Sequence, residues 1–218
     1  GGTMLGVVRH NAFIPWDDDL DISMMAEDKE KLFEIFEKEE EFVIEEVYWS
    51  DGLLLRCPRI RYKDESKNGC IDIFLWERAD NEPTGDRELW AKRQKYVQMK
   101  EQAFQKLKPS LHKTLFAGEP ITDLHDKELI DKLFNDIYKQ QRQECQKSGN
   151  TIYGQIDMWF EAGRWVGVYA KEDVLPFTTM KFETLDMPLP NHYDKFLTAQ
   201  YGDWLALPSK VSPKHTRF

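Results

Sequence analysis

The chain of 218 residues is acidic, since 39 Asp and Glu residues outnumber 30 Lys and Arg residues and give a net charge of −9 at pH 7. This charge argues against a nucleic-acid backbone as the main partner, because such partners select clustered basic residues. The hydrophobic share of 41% is enough for one core, and no stretch approaches the length of a transmembrane helix or resembles a signal peptide. Three cysteines without metal-ligand spacing favour reduced thiols and a cytoplasmic location.

A glycine pair opens the chain, ahead of an apolar run that predicts a short helix. Gly1 and Gly2 leave backbone N–H groups available at the positive end of that helix, an arrangement that binds phosphate. Thr3 comes directly after the pair, and Arg9 can hold further phosphate oxygens in a fork. A Gly-Gly-Thr sequence alone is more often an ordinary turn, so the phosphate hypothesis depends on the acidic residues downstream of it.

An acidic run with apolar flanks comes next, made of Asp17, Asp18, Asp19 and Asp21. It enters a predicted buried strand, where crowded carboxylates are costly unless a cation neutralises them. In a strand, Asp19 and Asp21 share one face with backbones about 7 Å apart, so we expect them to bind Mg²⁺ or Mn²⁺. The alternative is an acidic turn after Pro15 that is simply solvated.

A further carboxylate, Asp72, stands at the centre of the apolar run 70–76. An unpaired Asp in such a strand costs several kcal/mol, so Asp72 needs a partner. The hypothesis makes it the third metal-binding acid, on a strand next to the acidic run. The alternative is an ion pair with a nearby base such as Arg59 or Arg61.

The remaining pattern predicts an α+β protein with a small mixed sheet and a helical lobe. We expect one domain, with a sheet part at about 1–80, a helical part at about 86–147 and a closing segment at about 150–218. The predicted elements are a helix at 27–40, a hairpin of strands 42–49 and 53–62 around Ser50-Asp51-Gly52, a strand at 70–76, a loop at 81–85, helices at 87–107 and 126–146, short strands near 152 and 164–169, and a terminal helix at 193–201. Core-facing residues are expected to be Trp90, Val97 and Phe104 on the first long helix and Ile130, Leu133, Phe134 and Ile137 on the second.

Segments 1–10 and 13–22 together resemble the signature of the LicD family, phosphotransferases that decorate glycans and have fukutin and fukutin-related protein as relatives. Residues 71–74 resemble the second acidic strand of that family. The family's closing motif is matched by 182–183, 188–190, 193–197, 201–204 and Pro208. Two positions depart from the pattern: Asn11-Ala12 replaces a pair that usually contains glycine, and Leu75-Trp76 replaces a common proline.

The resemblance implies a nucleotidyltransferase-like fold and the transfer of a substituted phosphate from a CDP-linked donor, such as CDP-choline or CDP-ribitol, to a sugar hydroxyl of a cell-surface glycan. Carried over by position, it implies the roles of metal-binding acids for Asp19, Asp21 and Asp72, and of donor-phosphate contacts for Gly2, Thr3 and Arg9. Lys63 can also reach phosphates, or it is a solvated charge at a strand end. The alternatives are a nucleotidyltransferase acting on a small molecule and a non-catalytic glycan or nucleotide binder.

An aromatic-rich stretch holds Trp159, Phe160, Trp165 and Tyr169. Core packing is the favoured interpretation, and a cage for the quaternary ammonium of choline is the alternative. Because the chain begins inside the first motif, we expect an upstream segment, with any targeting signal, to be missing.

Overall fold

A computed structural model of the chain describes residues 1–17, 19–50, 54–79, 86–116, 121–145, 151–153 and 168–207. Asp18, the predicted turn at 51–53, the predicted loop at 81–85 and Trp159, Phe160 and Trp165 lie outside these ranges. The helices and strands are, in chain order, α1 (Gly2–His10), β1 (Leu20–Met25), α2 (Lys29–Phe36), β2 (Phe42–Ser50), β3 (Leu54–Tyr62), β4 (Cys70–Ala79), α3 (Asp86–Phe104), α4 (Pro109–Phe116), α5 (Leu124–Cys145), β5 (Thr151–Tyr153), β6 (Val168–Ala170), α6 (Lys171–Val174), β7 (Thr178–Phe182), β8 (Leu185–Leu189) and α7 (Tyr193–Tyr201).

Strand β4 is the centre of a mixed sheet to which, among the described residues, six strands belong. Strand β1 pairs with it in parallel, whereas β3 pairs with it antiparallel and continues into the β2–β3 hairpin. Asp72 is in register with a residue of β1 and with a residue of β3, so these two strands lie on opposite sides of β4. The short strand β5 pairs antiparallel with the last three residues of β4, and β6 pairs with β5. The predicted α+β class is therefore confirmed.

A helical lobe packs around its own apolar cluster, formed by α3, α4 and α5. The predicted inner residues of α5 are confirmed, with Ile130 and Phe134 fully buried. The inner stripe predicted for α3 is only partly right: Val97 and Phe104 are partly buried and Phe104 packs against the cluster, while the side chain of Trp90 lies outside the described part of the chain. Among the described side chains of α3, the buried ones are Tyr96, Lys100 and Ala103. The pattern missed this stripe because it contains a lysine, whose ammonium lies 4.7 Å from the ring centroid of Tyr138.

Several predicted boundaries differ from the structure for local reasons. The helix predicted at 27–40 begins with a 3₁₀ turn at 26–28 and ends at Phe36. The acidic residues after Phe36 oppose the negative end of a helix, and the Glu39 carboxylate accepts the N–H groups of Glu40 and Glu41 instead. The first long helix ends at Phe104, and Pro109 begins α4, which the sequence analysis missed. Proline suits the first turn of a helix, where its missing N–H is not needed.

The closing segment packs on α1 from two directions. Leu5 and Ile14 form one cluster with Leu197 of α7, and Val7 forms another with residues of the β7–β8 hairpin. That hairpin was not predicted, because Pro188 interrupts the strand pattern and the residue of its turn with positive φ, Glu183, is not a glycine. No helix in the described part of the chain is long and apolar enough to cross a membrane.

Candidate active site

The first turn of α1 lies against the acidic run. A Cβ atom on Gly2 would stand 2.2 Å from Oδ2 of Asp17, and one on Gly1 would stand 3.6 Å from Oδ2 of Asp21. The glycine pair therefore allows these carboxylates to approach the positive end of the helix. Asp17 and Asp19 are both half-buried, which disagrees with the alternative of a fully solvated acidic turn.

Thr3 joins α1 to the strand that carries the acids. Its side chain is 4% exposed, and its Oγ1 accepts a hydrogen bond of 3.0 Å from the backbone N–H of Asp21. This hydrogen bond thus fixes the position of the first turn of α1 relative to Asp21 of β1. The role of Thr3 as a phosphate contact stays a prediction. The bond to Asp21 gives Thr3 a positioning role that the sequence alone does not reveal.

Charged residues form a row across four neighbouring strands. Asp21 of β1 is in register with Asp72 of β4, Asp72 with Arg59 of β3, and Arg59 with Glu45 of β2. Residues directly opposite each other point to the same face of a sheet, and neighbouring strands are about 4.8 Å apart. The sheet therefore places two carboxylates side by side and a guanidinium next to the second.

Asp72 has the ion pair that the sequence analysis named as the alternative. Arg59 donates two hydrogen bonds to its carboxylate, from Nε to Oδ1 at 2.7 Å and from Nη2 to Oδ2 at 2.9 Å. Burial lowers the pKa of Arg59, but the hydrogen bonds and the charge of Asp72 raise it more, so the pKa lies above its ordinary value. Asp72 is 6% exposed. The metal-binding role of Asp72 stays a prediction.

Asp21 has a strongly shifted pKa. Burial raises its pKa from 3.8 to about 6, and the negative charges of Asp19 and Asp72 act in the same direction. A carboxylate in this position gains stability from a proton or from a cation. The charge arrangement thus has the chemistry of a site for a hard divalent cation.

The described residues contain no group of three or more His, Cys, Asp or Glu side chains already arranged to hold a metal ion. Magnesium does not require such a group, because it is commonly held by one or two carboxylates together with water and substrate phosphates. Asp19 and Asp21 fit this donor set. Their oxygens are of the type that Mg²⁺ and Mn²⁺ prefer, and their mutual repulsion is what a cation would relieve.

Two of the predicted phosphate contacts lie apart from the glycine pair. Arg9 is in the last turn of α1, about 10 Å along the helix axis from Gly2, and its Nη1 donates to the carbonyl of Trp204 at 3.4 Å. Lys63 lies just after β3, about 13 Å along the strand from Arg59, and its ammonium donates to the carbonyl of Glu39. Their roles as donor-phosphate contacts stay predictions.

Tyr201 lies near the acidic run, although its sequence indicated only a place in the closing motif. Burial raises the pKa of its phenol to about 12, and the charges of Asp17, Asp21 and Asp19 act in the same direction. Gln200 donates to its hydroxyl at 3.0 Å, and 38% of the residue is exposed. Only the packing of α7 brings Tyr201 to the acidic side of the molecule, so no signal within its own stretch of sequence could have found it.

The two departures from the motif are accommodated locally. Asn11 has a φ of 52° and caps α1 in the left-handed conformation, which asparagine tolerates better than most residues. Trp76 continues β4 and stacks on Tyr169 and Phe196, with ring centroids 5.6 and 5.8 Å away. Tyr169, a candidate for an ammonium cage, stacks on both of these rings, with its ring centroid 3.8 Å from that of Phe196, and burial raises its pKa to about 12.

A family model and several known proteins are similar to this chain. A family model described as LicD/FKTN/FKRP, nucleotidyltransferase domain, matches residues 1–121. The lipopolysaccharide cholinephosphotransferase LicD of Haemophilus influenzae is 25% identical over 231 residues, which cover 98% of this chain and 83% of that protein. The ribitol 5-phosphate transferase FKRP of Mus musculus is 27% identical over 111 residues, or 50% of this chain and 22% of that protein. An uncharacterised protein of Rickettsia prowazekii is 36% identical over 80 residues, or 37% of this chain and 26% of that protein.

Proposed function

The chain belongs to the LicD/FKTN/FKRP family, and from this membership we propose that it transfers a substituted phosphate from a CDP-linked donor to a sugar hydroxyl of a glycan. The transferred group is of the phosphocholine or phospho-alditol type. One relative is named as a cholinephosphotransferase and another as a ribitol 5-phosphate transferase, so both types are represented among similar proteins. The nucleotidyltransferase domain of the family agrees with the mixed sheet described above.

The observation that carries the proposal is the position of Asp21, which lies beside the positive end of α1 and in register with Asp72. A carboxylate that adjoins a helix N-terminus and has a second carboxylate in register with it combines a cation site with a phosphate site. A diphosphate donor requires both, since its negative charge must be neutralised and oriented before a bond to phosphorus can break.

We assign the cation to Asp19 and Asp21. When bound there, Mg²⁺ or Mn²⁺ would neutralise charge on the diphosphate as CMP departs. The backbone N–H groups of Gly1 and Gly2 are the proposed contacts of the donor phosphates. Arg9 is proposed to stabilise charge on the phosphate, through the guanidinium N–H groups other than the one donated to Trp204.

In the proposed reaction, the sugar hydroxyl oxygen forms a bond to the phosphorus of the transferred group. The bond from that phosphorus to the bridging oxygen breaks, and CMP leaves. The hydroxyl proton must be released as the new bond forms. Asp72 has two candidate roles here, as proton acceptor and as ligand of a second cation. Cation binding to Asp72→Asn separates them, because loss of a metal ligand weakens binding of the second cation, whereas loss of a proton acceptor lowers the rate and leaves cation binding unchanged.

The test is a thermal-shift panel with Mg²⁺ or Mn²⁺ and CDP-choline, CDP-ribitol, CDP-glycerol, CTP or ATP. Ligands that bind only the folded protein raise its midpoint. We expect a metal-dependent rise with one CDP-linked donor, absent in Asp19→Ala and retained in Asp186→Asn, which changes an exposed carboxylate paired with Lys181. Release of CMP in the presence of a glycan acceptor then measures transfer.

The other outcomes have definite meanings. A rise with triphosphates alone would replace the proposal by nucleotidyl transfer to a small molecule. A normal response in Asp19→Ala would remove that residue from the cation site. Binding of a donor without any release of CMP would indicate a non-catalytic member of the family.

A further inference from the structure

Arg59 makes a two-point contact with a carboxylate at the centre of the sheet. Its Nε and Nη2 atoms donate to the two oxygens of Asp72 at 2.7 and 2.9 Å, which is the geometry of a bidentate pair. Such a pair fixes the plane of the carboxylate as well as its position. Each oxygen of Asp72 retains acceptor capacity beyond the bond from Arg59.

This ion pair adds little to the connection between β3 and β4. The strands are already in antiparallel register, with Arg59 directly opposite Asp72. The ion pair of Arg142 and Glu77 is different, because it joins α5 to β4 across the boundary between the helical lobe and the sheet. A role in joining two elements therefore accounts for Arg142, whereas Arg59 neutralises the buried Asp72 and fixes its orientation.

The neighbour of Asp72 on its other side explains Arg59 better. Asp21 is in register with Asp72, and like charges directly opposite each other in a sheet are destabilising. Arg59 offsets part of the repulsion between these two carboxylates, and a cation bound beside both of them would offset the rest. A lysine would supply the same charge but would lose the planar fork that fixes the carboxylate.

We propose that Arg59 is a positioning residue of the cation site, which acts by holding the carboxylate of Asp72 in one orientation beside Asp21. The inference rests on the proposed function, because it takes Asp72 in its candidate role as a metal ligand beside the cation held by Asp19 and Asp21. Residues that orient a metal-binding carboxylate change metal affinity by about 10- to 100-fold when they are replaced.

The experiment measures Mn²⁺ binding by the loss of the electron paramagnetic resonance signal of free Mn²⁺, without nucleotide. Arg59→Lys is the test variant, and Arg61→Lys is its matched control, since Arg61 also holds a carboxylate at two points, that of Glu45. We expect Arg59→Lys to weaken Mn²⁺ binding by about tenfold or more while Arg61→Lys stays within about twofold. Thermal melting in EDTA should show a cooperative unfolding transition for both variants, which means that both are folded without metal.

Arg59→Lys with wild-type Mn²⁺ affinity would overturn the inference while leaving the cation site intact. An equal loss of Mn²⁺ affinity in Arg59→Lys and Arg61→Lys would also overturn it, since replacing any arginine that holds a carboxylate on this sheet would then have the same effect. Failure of Arg59→Lys to fold in EDTA would assign Arg59 to the fold instead. A wild-type protein that binds no Mn²⁺ would remove the proposed cation site, and the positioning role with it.

Discussion

Asp21→Asn measures how much the ionised carboxylate of Asp21 destabilises the folded protein when no cation is bound. Asparagine nearly matches aspartate in shape but carries no charge. Burial and the charges of Asp19 and Asp72 raise the pKa of Asp21 from 3.8 to about 6, so the ionised carboxylate is held in the folded, metal-free protein at a cost. The variant is therefore expected to be more stable than the wild type at neutral pH, which is the reverse of the usual effect of replacing a partly buried residue.

The size of the effect can be worked out from the shift. About two pKa units correspond to about 3 kcal/mol, and because Asp21 is half-buried and screened by water we reduce this to about 1–2 kcal/mol. Because the pKa of Asp21 is higher in the folded state, protonation of Asp21 stabilises the folded wild type. This stabilisation is complete below the unfolded pKa of 3.8 and is lost as the pH rises through about 6. The advantage of Asp21→Asn should thus be absent near about pH 4 and complete above about pH 7.

Urea unfolding in EDTA across this pH range provides the measurement, with Asp186→Asn as the control on an exposed carboxylate. The control should differ from the wild type by less than about 0.5 kcal/mol at every pH. Millimolar Mg²⁺ should then reverse the order, because it stabilises the wild type and not Asp21→Asn. A variant that is less stable than the wild type in EDTA at neutral pH, or a difference that does not change with pH, would refute the electrostatic account of this site.

Two further predictions concern α1. Gly6→Ala should lower the free energy of unfolding by about 1–3 kcal/mol, because the added Cβ would stand 2.5 Å from the carbonyl oxygen of Ala12, in the segment that follows α1. A loss below about 0.5 kcal/mol in urea unfolding would contradict this close approach. Thr3→Val should cost about 1–3 kcal/mol in the same assay, since it removes the acceptor for the backbone N–H of Asp21. Thr3→Ser keeps the hydroxyl and should recover most of that loss, and equal losses in both would assign the effect to packing instead.

The acids of the site could be predicted because their signals are local. Alternation along a strand and apolar flanks around Asp19 and Asp21 are visible within a few residues of sequence. Their arrangement is not local. The adjacency of Asp21 and Asp72 depends on a parallel pairing between strands that are far apart in the chain, and the pairing of Asp72 with Arg59 depends on the register of a second strand pair. A shift of one residue in either register would move these side chains to the other face.

The same distinction applies to the fold. The inner face of α5 between Ile130 and Tyr138 can be read from helical periodicity, because the buried positions there are all aliphatic or aromatic. The inner face of α3 cannot, because Lys100 is fully buried there against Tyr138 and a hydrophobicity pattern counts it as exposed. The β7–β8 hairpin was missed for a related reason, since Pro188 is acceptable in a two-stranded sheet but argues against a strand when the pairing is unknown.

The packing of α1 explains why motifs at opposite ends of the chain occur together. Leu5 and Val7 are 7% and 0% exposed, and the residues that cover them include Leu197 of α7 and Phe182 of the β7–β8 hairpin. The helix that presents the glycine pair to the acids is therefore held in place by segments far beyond residue 121, where the match to the family model ends. Arg9 adds a polar contact to the same interface through the carbonyl of Trp204. The region matched by the family model thus depends for its core on the closing segment, which acts on the site by fixing the direction in which α1 points.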